Sequence, residues 1–219
     1  MSEFKNMDCM EGMKQYPDKY FDLAIVDPPY GIGIGKNGFI GGDAKGIKAR
    51  EYKPTEWDNA IPNKEYFEEL FRVSKHQIIW GGNYFTEHLK PSKSWVVWDK
   101  RVEEKYKNNF SDCELAWCNI GTVRIFRHLF MGICQKDMKN KEIRFHPTQK
   151  PIALYEWLLK NYAKQGDKIL DTHVGSASSL IACYNLGFEY VGFELDKEYY
   201  DKAQKRLQAR MAQMDIFNL

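Results

Sequence analysis

The sequence predicts a doubly wound α/β fold, with a mostly parallel sheet and an antiparallel hairpin at one edge. Three observations lead there. Leu23, Ala24, Ile25 and Val26 form an unbroken apolar run with two β-branched members, and Asp27-Pro28-Pro29-Tyr30 follows at once. Such a run suits a strand buried on both faces of a parallel sheet, and two prolines end it because neither can donate a ladder hydrogen bond. Further on, residues 168–171 read as a strand ending in an acid. A small-residue turn, a helix and a second strand at 190–195 come next. Between these two regions strand and helix patterns alternate and end in two short strand patterns around Asn119 to Gly121, the signature of a parallel sheet with a reversed edge.

The remaining elements can be placed in order. Residues 4–8 suit a short strand, 10–16 a helical turn, and Pro17-Asp18 a turn before the buried strand. Asn63 fits the cap of a helix over 64–75, with Tyr66, Phe67, Leu70, Phe71 and Ser74 turned inward. A strand over 77–84 runs into Gly81-Gly82, a short helix over 83–89 stops before Pro91, and 95–98 forms another strand. Residues 99–110 make a polar loop, and 113–120 and 122–126 are expected to pair as the hairpin. Thr148 suits the N-cap of a helix that buries Ile152, Tyr155, Leu158, Leu159 and Tyr162. The helix after the second acidic strand passes through Cys183 and Tyr184 to a stop at Gly187. Asp196 caps a last helix that turns Tyr199, Tyr200, Ala203 and Leu207 inward.

Composition bounds the function. The chain has 219 residues and 43% hydrophobic content, enough for one domain with a sizeable core. It has no run of 18 apolar residues, and its first ten residues do not read as a signal peptide. Five cysteines without C-x-x-C spacing argue against zinc and for a reducing compartment, so the cytoplasm is expected. Net charge is only +2, so affinity for nucleic acid must come from local patches. Two stretches qualify. Residues 31–53 carry five basic and two acidic residues among seven glycines, and 124–150 carry seven basic and two acidic. The first belongs to a segment, 31–61, that reads as a basic, flexible flap.

The chemistry starts at Asp27. The Asp27 carboxylate and the Pro28 carbonyl are two acceptors at the rim where open α/β sheets bind ligands. The strand end thus carries a carboxylate, a proline carbonyl without a regular partner and the Tyr30 ring. Asp171 and Glu194, twenty-three residues apart, follow the logic of a nucleoside site. In such a site Gly175 would permit close backbone approach to the ligand, and Glu194 would accept both ribose hydroxyls. Asp8 is both a helix-cap candidate and a site candidate.

Asp27-Pro28-Pro29-Tyr30 resembles the catalytic motif of amino-methyltransferases, and His146-Pro147-Thr148-Gln149-Lys150-Pro151 resembles a longer element of the same family. With the turn from Asp171 to Ser178 last in order, the chain resembles the β-type DNA amino-methyltransferases, the permuted adenine-N6 and cytosine-N4 group, nearly end to end. The resemblance implies a fold of the S-adenosylmethionine-dependent methyltransferase type, S-adenosylmethionine as cofactor and DNA as substrate. It implies methyl transfer to N6 of adenine, because Asp in the first motif position accompanies adenine. Tyr30 would stack on the flipped base, and Pro28 and Pro29 complete the catalytic set. Asp8 and Cys9 would lie near the cofactor adenine, and His146, Thr148 and Lys150 near its methionine end. Asp171, His173, Gly175, Ser176, Ser178, Glu194 and Leu195 would form the rest of the cofactor site, with Asp27 facing it.

The turn departs from the family's Asp-Pro-Phe-x-Gly-Ser-Gly-Thr at Thr172, His173, Ala177 and Ser178. Ala177 in place of glycine requires a φ below zero, and His173 supplies a flat ring where the family has Phe. Residues 101–110 and 127–145 remain for target recognition, along with the 31–60 loop, which suits a short recognition site or a homodimer reading DNA jointly. Cytosine-N4 transfer, methylation of RNA or a protein amide, and an inert nucleic-acid-binding module are the alternatives.

Overall fold

The computed structural model describes residues 1–217 except 35, 37–38, 41–49, 53, 55, 103–110 and 132–133. In chain order its elements begin with β1 (Glu3–Asn6), α1 (Cys9–Met13), β2 (Phe21–Val26), β3 (Phe39–Ile40), β4 (Arg50–Glu51), α2 (Lys64–Val73) and β5 (Ser74–Trp80). There follow β6 (Ser94–Asp99), β7 (Cys113–Cys118), β8 (Arg124–Arg127), β9 (Phe130–Met131) and β10 (Cys134–Gln135). The last are α3 (Ile152–Tyr162), β11 (Lys168–Asp171), α4 (Ser178–Leu186), β12 (Glu189–Glu194) and α5 (Lys197–Phe217). Eight strands form one sheet in the order β1-β12-β11-β2-β5-β7-β6-β8. Only β7 runs against its neighbours.

β2 is the axis of the core. Its side chains alternate between faces, as the pleat requires. Leu23 and Ile25 join the cluster under α3, α4 and α5, whereas Ala24 and Val26 join the cluster under α1 and α2. All four are at most 1% exposed, which is why the run is apolar without interruption. From β2 the chain crosses through α2 to β5 on one side, and from β11 it crosses through α4 to β12 on the other. The connections therefore diverge between β11 and β2. That divergence opens a crevice at the carboxyl ends of the two strands.

Several expected ends are present. Asn63 accepts the Tyr66 N–H at 3.1 Å, and Asp196 accepts those of Glu198 and Tyr199 at 2.8 and 3.1 Å. Others need correction. The strands at 113–120 and 122–126 do not pair with each other. β6 lies between them, antiparallel to β7 and parallel to β8. The Ser94 hydroxyl, at the start of β6, donates to the carbonyls of Ile120 and Thr122, so the connection wraps around that strand end instead of folding into a tight hairpin. The antiparallel pair near the edge is β6 with β7. β5 starts at Ser74, directly after α2, and only Gly82–Tyr84 forms a helical turn in the stretch expected to be a helix over 83–89.

Thr148 is not the cap of α3. Pro151 occupies that position, and the side chain of Glu142 accepts the Ile152 N–H at 3.0 Å from a distance. Ala177 adopts φ +63°, not a negative value, because the turn bends left-handed before α4 begins at Ser178. Among the described residues no helix is long and apolar enough to cross a membrane.

Arg72, in the last turn of α2, ties that helix to α1. Its guanidinium donates to the carbonyls of Met13 and Tyr16 at 3.3 and 3.0 Å and pairs with Asp18 and Glu69 at 2.7 Å. Arg72→Met is expected to cost about 1–2 kcal/mol after screening by solvent, which lowers Tm by about 2–6 °C. An unchanged melting curve would show that water replaces these bonds without loss.

Candidate active site

The proline pair leaves Asp27 at the carboxyl end of β2 with its side chain directed into a chain of charges. Asp27 Oδ1 accepts the Tyr30 hydroxyl at 2.7 Å, and Oδ2 accepts the Lys150 ammonium at 2.5 Å. Lys150 is only 4% exposed and lies 3.1 Å from Glu114 Oε2. Lys100 pairs with Oε1 of the same glutamate, also at 3.1 Å. Because β7 is reversed, its first residues stand opposite the end of β6, with Cys113 facing Asp99 and Glu114 facing Trp98. Asp27, Lys150, Glu114 and Lys100 thus alternate in sign and sum to zero.

Burial raises the Asp27 carboxyl above the usual range, against the pull of Lys150. Burial also opposes the Lys150 ammonium, but Asp27 and Glu114 outweigh it and hold its pKa above the ordinary lysine value. For Glu114 the two lysines outweigh burial and bring the carboxyl below its ordinary value.

Tyr30 is fixed from three sides. Its ring stacks on Tyr84 with centroids 5.0 Å apart and planes 16° apart. It also lies on Gly81, whose φ is +72° and where an added Cβ would stand 2.2 Å from the ring. The Asp58 carboxylate accepts the N–H groups of Tyr30, Gly31 and Ile34 at 2.7, 2.9 and 3.0 Å. Asp58 therefore holds the chain where it leaves the Asp-Pro-Pro-Tyr segment. Much of the expected flap, at 35, 37–38, 41–49, 53 and 55, lies outside the described residues, as do 103–110 of one recognition segment.

A cavity of about 510 Å³ opens over the divergence between β11 and β2. Its wall brings together Asp8, Cys9, Asp27 and Pro29 with His146, Thr148 and Lys150. His173, Gly175, Ser176, Ser178, Glu194 and Leu195 complete the expected set. Pro28 and Tyr30 stand beside Asp27 without lining it, and Asp171 stands behind the turn. Asp171 accepts the His173 N–H at 3.0 Å and the Ser179 hydroxyl, so it shapes the wall from within. Asp8 answers to both of its readings, since it caps α1 through the Met10 N–H at 2.8 Å and lines the cavity.

Glu194 sits where β12 ends. Oε2 accepts the Gly175 N–H at 2.8 Å and Oε1 the Asp196 N–H at 2.9 Å, so each oxygen keeps acceptor capacity. Burial raises its carboxyl and these N–H groups oppose the rise. Gly175 reaches this position with φ +56°. The rings at the wall are neutral. Burial lowers His146 to about 3 and His173 to about 4. His146 stacks on Trp57 and meets the edge of Tyr199, while His173 meets Tyr66 edge-on and bonds Thr172 at 2.9 Å. Burial pushes the Cys9 thiol up to about 12, which keeps it protonated. Among the described residues no group of three or more His, Cys, Asp or Glu is placed to hold a metal ion.

A cavity of this size, with a half-satisfied carboxylate at a strand end and flat neutral rings, fits a nucleoside with two free hydroxyls. Sequence reasoning missed Asp58, Glu114, Lys100, Trp57, Tyr199 and Arg206. The last donates to the Ser176 carbonyl at 2.7 Å, to the Ser178 hydroxyl at 2.9 Å and to Glu142 at 2.7 Å, bracing the turn from α5. The one local signal among these was Glu114, an acid within an otherwise apolar strand.

A family model described as DNA methylase, of the N6/N4 group, matches residues 90–205, more than half of the chain. The chain belongs to this family. The DNA methylase is 26% identical to the Type II methyltransferase M.HpaI of Haemophilus parainfluenzae, over 95% of this chain and 74% of that protein. Its fold resembles an M1.HpyAVI–SAM complex, with TM-score 0.57, 20% identity and coverage of 94% of this chain and 100% of the other. It also resembles the cytosine-N4-specific PvuII DNA methyltransferase, with TM-score 0.60, 11% identity and coverage of 95% and 90%.

Asp171 yields a test of how the turn is held. Burial raises its carboxyl to about 7, so the folded protein keeps this proton to higher pH than the unfolded chain. Stability from this group is full below about pH 4 and is lost as pH rises towards 7, at roughly 1.4 kcal/mol for each tenfold difference in proton affinity. Asp171→Asn removes that slope. The stability of the variant relative to the native protein is expected to rise between pH 4 and pH 7, measured by urea denaturation, and parallel pH profiles would refute it.

Proposed function

We propose that this DNA methylase transfers the methyl group of S-adenosylmethionine to N6 of an adenine flipped out of DNA. The observation that carries the reading is the placement of Asp27 on the wall of the same cavity as Glu194 and the Gly175 turn. The acceptor for an amine and the acceptor for a ribose thus face one space. The fit of the residues supports the cofactor. Glu194 would hold the ribose hydroxyls, Asp8 and Cys9 would flank the adenine, and His146, Thr148 and Ser176 would border the methionine end. When bound, S-adenosylmethionine supplies an electrophilic methyl on a sulfonium, which departs as a neutral thioether.

The chain's own part is positioning. The Tyr30 hydroxyl yields Asp27 Oδ1 to one amine N–H, and the Pro28 carbonyl accepts the other. The nitrogen lone pair is then free to form the new C–N bond as the C–S bond breaks. One amine proton leaves through Asp27 to water. Tyr30 keeps the base in plane, with Tyr84 behind it.

Adenine is favoured over cytosine because an aspartate stands at the first position of the motif, and the fold itself is common to enzymes of both kinds. Arg124, Arg127, Lys136, Lys139 and Lys141 are exposed along the second basic stretch, where they suit phosphate contacts that weaken with salt.

Mass spectrometry of digested, methylated DNA tests the product. N6-methyladenine is expected, and N4-methylcytosine alone would overturn the base assignment. Glu194→Ala is expected to raise the Kd for S-adenosylmethionine about ten- to a hundredfold. Asp27→Ala should abolish transfer with that Kd changed by less than about tenfold. An unchanged Kd in the first variant, or undiminished turnover in the second, would refute the corresponding role.

A further inference from the structure

We propose that Lys150 and Glu114 are positioning residues of the methyl transfer, with Glu114 anchoring Lys150 so that it grips Asp27 by Oδ2 and leaves Oδ1 to the target amine. The inference rests on the reading of Asp27 as the amine acceptor. It departs from the expectation that Lys150 serves the cofactor.

The geometry separates the two carboxylate oxygens. Oδ2 is bonded to an ammonium that is almost wholly buried and held at its other side by a second carboxylate. Oδ1 is bonded to a phenol hydroxyl, a neutral group on a side chain that can rotate the bond away. The Lys150 ammonium also lies 3.3 Å from that hydroxyl and 5.5 Å from the centre of the Trp80 ring, so it has apolar and polar walls on all the sides the structure describes. A free carboxylate turns about its last bond, a broad two-fold torsion. One fixed oxygen removes that freedom and presets the other for the amine, a gain of the orientational kind. The Pro28 carbonyl needs no such device, because its own ring fixes φ and the following Pro29 restricts ψ.

Glu114 has a second task. Without it, Lys150 would meet Asp27 as an isolated pair and hold the carboxylate as a weak acceptor. With it, the ammonium is shared between two carboxylates, and Lys100 balances the second. Other titratable groups facing Asp27 are Tyr30 on its own segment, Tyr66 on α2, Tyr155 on α3 and Asp171 at the end of β11. The three phenols stay protonated, because burial raises each of them, so among these described groups the four-charge chain and Asp171 set the field at Asp27.

Removing the two partners must therefore move Asp27 in opposite directions. Glu114→Gln leaves Lys150 to Asp27 alone and lowers the Asp27 pKa. Lys150→Met leaves two facing carboxylates and raises it. The pKa is read from the Asp27 carboxyl carbon in ¹³C-aspartate-labelled free protein by NMR titration, without cofactor or DNA. In activity assays the acid limb of the kcat profile should shift the same way. Turnover is expected to fall about ten- to a hundredfold in each variant, with the Kd for S-adenosylmethionine within about threefold. Glu114→Gln is close to isosteric, and the double variant Glu114→Gln with Lys150→Met removes both charges and should return the Asp27 pKa towards the native value. Shifts in the same direction, no shift, or a loss confined to cofactor affinity would each overturn the proposal. Opposite shifts by NMR in a protein that methylates no DNA would uphold the charge chain and refute the DNA reading instead.

Discussion

One ion pair joins two distant parts of the chain at the site. Asp27 and Lys150 are 123 residues apart in the chain, yet their charged atoms meet beneath the cavity. The residue that ends β2 and the turn that opens α3 are thereby held in one register. Breaking a buried pair by removing a single partner typically costs 3–5 kcal/mol, because the remaining charge is left uncompensated. Such a contact is poor value as a source of stability and effective as a constraint on geometry. The reversed strand β7 then becomes intelligible. Its reversal brings its first residues to the carboxyl edge, which is where Glu114 must stand to meet Lys150.

The rest of the site follows from the sheet order. Strands on either side of the β11–β2 divergence send their crossovers apart, and the space that remains is filled by no helix. Strand ends and the turns after them supply one part of its lining, around Asp8, Asp27, Gly175 and Glu194, while the entry to α3 and residues 54–57 supply another. The cofactor turn is braced from behind by Asp171 and from the side by Arg206, so its left-handed residues at Gly175 and Ala177 are held by contacts outside the turn itself. Alanine in that conformation carries a cost of about 1–2 kcal/mol that glycine would not. The burial of its methyl group offsets part of that cost.

What could be read from the sequence was local. The apolar run before Asp27, the caps at Asn63 and Asp196, and the strand-turn-helix-strand at 168–195 each announce themselves within a few residues. Twelve of the thirteen residues expected at the cofactor site, all but Asp171, line one cavity, because three of those motifs fall on the ends of β1, β12, β11 and β2 and the fourth on the entry to α3. What could not be read was pairing at a distance. Two strand patterns separated by a short turn look like a hairpin whether or not a third strand lies between them. The resemblance of residues 146–151 set Lys150 at the cofactor, whereas its pairing with the remote Asp27 leaves no local signal, and Arg206 and Asp58 carry no local mark at all. Thr148 was a sound cap by type, but Glu142, ten residues before Ile152, reaches the helix first.

The clasp made by Asp58 has a consequence for how such a protein can change. By taking the N–H groups of Tyr30, Gly31 and Ile34, it fastens the outgoing chain to the returning chain at the base of the intervening segment. The two ends of that segment stay together whatever its length. Closing a loop of twice the length costs only about 0.6 kcal/mol more. Insertion, deletion or exchange between residue 34 and the cavity-lining Pro54, Glu56 and Trp57 is thus insulated from the geometry of the reacting groups, so that segment can diverge while the chemistry beneath it stays fixed.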